Sequence, residues 1–152
     1  MSKIEVNAIE PQCGTTLTIG ASDTSISGIG TVNWQTGSIK TSTFTAVSGQ
    51  GFFADTSSSA FTMNLPAATA GNIVSVVDYT NTFQTNNLTI TPNGSQKIGG
   101  VNASAVLETE GQSVTFVYVD DTEGWKNVQD STSNAVAETP HTKGFAGLQP
   151  IE

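Results

Sequence analysis

GFFADTSSSAFTMNLPAATAGNIVSVVDYT, residues 51–80, decides the fold. In FTMNL (61–65) the apolar Phe61, Met63 and Leu65 alternate with Thr62 and Asn64, the period of a strand with one buried face. Ile73 to Val77 is almost continuously apolar and reads as a central strand covered on both faces. Working outward, the same period returns at Leu88 and Ile90 and again at Val114, Phe116 and Tyr118. Turn chemistry separates these runs: the polar Thr56–Ser59, the loop Pro66–Gly71, Pro92-Asn93-Gly94, and Glu110-Gly111 as a hairpin closure. Seven strands are expected, at 51–55, 60–65, 73–79, 87–91, 105–109, 113–120 and 125–128. No stretch carries a helical period. The expected fold is all-β, an antiparallel β-sandwich, jelly-roll-like knob over residues 51–130.

The flanks are different. Ile4, Val6 and Ala8 alternate with Glu5 and Asn7, Glu10-Pro11 interrupts, and Thr16–Ile19 resumes the pattern. Residues 1–50 hold too few large apolar side chains for a core of their own, so they are expected as a β arm or short trimeric shaft. Residues 131–152 lose all period and are expected as an extended C-terminal tail. The expected docking and oligomerisation contacts are the sparse apolar posts Ile4, Val6, Ile9, Leu17, Ile19, Phe145, Leu148 and Ile151.

Composition narrows the function classes. Only 12% of the 152 residues are charged, and Ser and Thr fill about a quarter of the chain, which suits a β-fibre or β-sandwich protein. With 13 acidic against 5 basic residues the net charge is -8, which repels a nucleic-acid backbone. The N-terminus has no apolar signal region and no run approaches transmembrane length, so neither signal-directed secretion nor membrane insertion is expected.

Catalytic and metal chemistry find little to work with. His141 is the sole histidine and stands in the irregular tail, so a Ser-His-Asp arrangement is not expected there. Cys13 is the sole cysteine and reads as a small apolar filler, and one His with one Cys cannot complete a zinc tetrahedron. Asp120, Asp121 and Glu123 sit at a turn without EF-hand spacing and read as solvated. No catalytic, cofactor-binding or metal residue is assigned, and no cofactor is expected. Asn87, Asn93 and Asn102 open glycosylation sequons that read as ordinary strand and turn residues. Trp34, Trp125, Tyr79 and Tyr118 could serve as sugar-stacking platforms, but Tyr118 lies in an alternating strand and Trp125 follows a Gly turn into the last one, so core or subunit interface is the expected place for most of them.

Four elements appear in order: FT-x-x-LP from Phe61 to Pro66, AG-x-IV-x-x-x-DY from Ala70 to Tyr79, TNNLTI-x-x-NGS from Thr85 to Ser95, and VT-x-VYVD…GW from Val114 to Trp125. This order resembles a β module of tail-fibre and other virion proteins of tailed bacteriophages, including marine ones. MSKIEVNAIEPQCGTTLTIGAS (1–22) resembles the opening of such proteins, where short strands wind into a trimeric shaft. The resemblance implies a non-enzymatic virion structural protein, assembled in the host cytoplasm and partnered by itself as a homotrimer and by capsid or tail proteins. The chain's shortness and its tail beyond Trp125 favour a short fibre, a head-decorating protein or an adaptor. The alternative is a receptor-binding tip for host attachment, recognising a surface glycan.

Overall fold

A computed structural model describes residues 3, 5–10, 14 and 32–132. Ile4, Cys13, Leu17, Ile19, His141, Phe145, Leu148 and Ile151, the strand expected at 16–19 and the tail beyond residue 132 lie outside the described residues. Among the described residues there are nine strands and no helix: β1 (Asn33–Trp34), β2 (Phe44–Thr45), β3 (Gln50–Ala54), β4 (Phe61–Asn64), β5 (Ile73–Asp78), β6 (Leu88–Thr91), β7 (Ala105–Leu107), β8 (Ser113–Asp120) and β9 (Gly124–Ser131). All seven strands expected between residues 51 and 128 form. Two shorter ones precede them.

The strands make two mixed sheets, ordered β1-β3-β5-β8-β9 and β2-β4-β6-β7. From β1 to β6 the chain alternates between the sheets, and each strand lies parallel to the one two places before it. The expected uniformly antiparallel, jelly-roll-like pairing is therefore corrected. Period-two alternation states which face of a strand is buried but is indifferent to the direction of its neighbour. Direction is set by the connections, and here each one crosses to the other sheet, so that the chain has turned fully round when it meets its own sheet again. Antiparallel pairing appears only in the second half, between β5 and β8, β6 and β7, and β8 and β9. For the same reason Glu110-Gly111 closes no hairpin. It carries the chain from β7 in the second sheet to β8 in the first.

Residues 33–45, which the sequence reading puts in the arm, pair with this body: Phe44 stands in register with Met63, and Ala46 is buried in the core. Their few apolar side chains suffice because β3 and β4 already present the surface they cover. The inward residues of both sheets meet in one core, with Phe52, Val74, Val76, Phe116 and Trp125 from the first and Phe61, Met63, Leu88 and Ile90 from the second. Burying such side chains is worth about 1.5–3 kcal/mol each. Phe83, from the loop between β5 and β6, closes one end and is fully buried.

β5 is the middle strand of its sheet, and its inward row, Val74 and Val76, ends on Asp78. Asp78 is 0% exposed. One oxygen accepts the N–H of Thr82 at 3.0 Å; the other accepts those of Phe83 and Gly111, also at 3.0 Å. A buried carboxyl is tolerated only when its acceptor sites are filled, and these three donors fill them without a cation. Beside it runs a hydroxyl chain, Thr56 to Thr82 at 2.7 Å and Thr82 to Thr80 at 2.8 Å, ending where Thr80 donates to Asp55. Asp55 also accepts the hydroxyl and N–H of Ser57, and these bonds hold its carboxyl below the ordinary carboxylate range.

Asp78→Ala should strand three N–H groups in the interior and destabilise the protein by about 3 kcal/mol or more, read as a lowered urea midpoint. A surface change such as Ser58→Ala serves as the control and should leave the midpoint in place.

Candidate functional site

Of the four aromatic residues singled out as stacking platforms, the fold hides two. Trp125 and Tyr118 lie in the core with ring centroids 5.6 Å apart, edge to face. Trp34 and Tyr79 remain 39% and 54% exposed, on the outward face of the first sheet. Outward residues there are those out of phase with the core: Trp34 on β1, Gly51 and Phe53 on β3, Ile73, Ser75 and Val77 on β5, Ser113, Thr115 and Val117 on β8. Register sets Trp34 beside Gly51 and Phe53 beside Val77.

Gly51 makes the arrangement possible. A Cβ at this position would stand 2.5 Å from the Trp34 ring and 2.7 Å from Val32, so only a glycine lets the indole lie down across the sheet. From there the ring meets Phe53 at 5.2 Å between centroids, tilted by 39°, and Phe53 meets Tyr79 edge-on at 6.3 Å. Three aromatic rings thus form a continuous outward row across β1, β3 and the end of β5. Beside Trp34 the turn after β1 borders a half-open hollow of about 350 Å³ lined by Asn33, Trp34, Gln35, Thr36, Gly37 and Ser38. Its side-chain chemistry is amide and hydroxyl, with no charge. The second sheet's outward face is plain by comparison, with Thr45 and Asn64 in one row and Thr62 and Thr89 in the next.

The acidic turn between β8 and β9 is arranged for structure. Asp120 accepts the N–H groups of Thr122 and Glu123, Asp121 accepts the Tyr118 hydroxyl at 2.7 Å, and Glu123 pairs with Lys126 at 3.0 Å. Each carboxylate faces a different partner, and among the described residues no group of three or more His, Cys, Asp or Glu could hold a metal ion. Two of the three sequon asparagines are likewise engaged. Asn87 donates to the Phe83 carbonyl and Asn102 to those of Gly94 and Gln96.

Of the expected docking residues, Val6 and Ile9 are described, and they are 56% and 62% exposed. The aromatic row is what the sequence reading did not assemble. Its signal was available in Gly51, a glycine opening a strand of otherwise large residues, which marks the close approach of another group. The chain matches no family model, and no curated protein matches it.

Gly51→Ala should lift Trp34 off the sheet and cost about 1–3 kcal/mol, seen as a lower melting temperature with a red-shifted emission from the displaced indole. The Tyr118 phenol is held above its ordinary range, chiefly by its hydrogen bond to Asp121 and further by burial. Its folded value being the higher, this bond stabilises the protein fully below about pH 10 and the gain is lost as pH rises through the folded value. Tyr118→Phe should accordingly lower stability at neutral pH and flatten the alkaline decline, measured by thermal melts from about pH 7 to 11.

Proposed function

We propose that this chain is a non-enzymatic structural protein of a bacteriophage virion, a short homotrimeric fibre or a head-decorating or adaptor protein. In this reading its two sheets stack as a β-sandwich knob, and the segments before Val32 and after Thr132 are the arms by which it docks. The observation that carries it is the winding of β1 to β6, strand upon parallel strand, along a single axis. Among the described strands β1 and β9 end the first sheet and β2 and β7 the second, and β1 and β2 come first in the chain. A coil of parallel strands is a form that three chains can continue by winding together.

Further support comes from the apolar posts Val6 and Ile9, whose exposure leaves them available to a neighbour. The non-enzymatic part rests on the carboxyl groups: Asp55, Asp78, Asp120 and Asp121 are each spent on hydrogen bonds within the chain. A general acid or base needs a group free to exchange its proton with substrate.

Sedimentation velocity on the full chain should give a trimer. Removal of residues 1–20 should leave the melting transition of the body unchanged while reducing incorporation into particles, quantified on purified virions by imaging a labelled chain. A monomer, or undiminished incorporation of the shortened chain, would contradict the docking scheme.

A further inference from the structure

Aromatic surface turned to water is a source of binding free energy not yet used within the fold, and among the described residues it is concentrated in one place. We infer that the row Trp34–Phe53–Tyr79, with the hollow beside Trp34, binds a neutral saccharide. Pyranose rings would stack by their C–H faces on the indole and the phenol, and their hydroxyls would bond to the Thr36 hydroxyl, to the Gln35 amide oxygen, whose nitrogen donates to the Asn33 carbonyl, and to the Ser38 hydroxyl, which also accepts from Lys40. This goes beyond a structural role and does not depend on where the chain sits in a particle.

Three observations select this ligand. The Trp34 ring is pressed onto Gly51 and braced by Phe53 at 5.2 Å, so the platform is already in place before a ligand arrives and little ordering cost remains. A ring laid down on the sheet in this way presents its other face outward. The adjoining hollow, about 350 Å³, lies at the small end of the usual ligand range of about 300–1,000 Å³ and suits one or two sugar rings better than a larger body. Its lining combines an apolar ring with uncharged donors and acceptors, the pairing that a sugar's alternate C–H and O–H surfaces require.

Other occupants of an aromatic row fit less well. Nucleic-acid bases also stack, but their phosphates need cations. The hollow's lining has none, a single ammonium, that of Lys40, bonds Ser38 at its edge at 3.2 Å, and the chain carries a net charge of -8. A second copy of the chain would need about 800 Å² of complementary surface on each side; the sheet beyond the rings mixes Ser75, Thr115 and Ser113 with Ile73, Val77 and Val117, and the test below decides for or against that occupant.

The test uses the full-length protein on a printed array of neutral oligosaccharides, followed by titration of the strongest array binder with tryptophan emission as the readout. The two tryptophans make this informative: Trp125 is wholly buried, so a ligand-dependent change reports Trp34. A saturable change is expected. Tyr79→Ala should weaken binding about tenfold without moving the melting temperature, and Gln35→Ala should weaken it by a smaller factor. Trp34→Phe, followed by calorimetry, should retain part of the affinity. The inference is overturned if no neutral oligosaccharide binds, or if binding is indifferent to both Tyr79→Ala and Trp34→Phe. It is equally overturned if only oligonucleotides bind, or if Tyr79→Ala dissociates an oligomer while no sugar binds, which would make the row a contact between copies. None of these outcomes bears on incorporation into particles, so the structural proposal stands or falls separately.

Discussion

A single buried carboxyl group holds together parts of the chain that the sheets alone would leave independent. Asp78 ends the middle strand of the first sheet, and its three N–H donors come from the loop leading to β6 and from the crossing between β7 and β8. These are the places where the parallel coil gives way to antiparallel strands. Apolar packing is non-directional and would tolerate several arrangements of those loops, whereas three short hydrogen bonds to one group tolerate few. Phe83 and Gly111, bound to the same oxygen, fix where the loop plugs the core and where β8 begins. A lysine or arginine partner would have carried its own desolvation cost; backbone donors, already needing acceptors, do not.

Much of this architecture was legible in the residues. The alternation in Phe61–Leu65 and Val114–Tyr118 named both the strands and their buried faces, and the side chains at those positions are the core. Pairing direction was not legible, because the alternation of FTMN is the same whether LTIT beside it runs up or down. Nor was the membership of β1 and β2, whose two-residue strands have no period to detect and become stable only against β3 and β4. The aromatic platforms were named as a set of four, with the alternating strand around Tyr118 and the Gly turn before Trp125 pointing those two toward the core. Their division follows from register: Trp125 pairs with the inward Tyr118, while Trp34 falls in phase with Gly51.

The outward surfaces of the two sheets follow different chemistry from the same strand geometry. On the second, Thr and Asn repeat across Thr45, Asn64, Thr62, Thr89 and Thr91, a surface well served by water. On the first, large apolar rings replace them at Trp34 and Phe53, at a site where Gly51 removes the side chain that would have separated the rings from the backbone. The saccharide site proposed above would use this difference.

The winding of β1 to β6 also bears on how such a chain changes over generations. Each circuit adds one strand to each sheet and leaves the next pair facing the same interior, so a duplicated or deleted circuit alters length without disturbing the rows already packed. The other end does not share this freedom, because β7, β8 and β9 reverse direction and are tied through Gly111 to Asp78. A circuit added or removed at the N-terminal end would thus change length, whereas the C-terminal strands form a stop, a polarity built into the order of the strands.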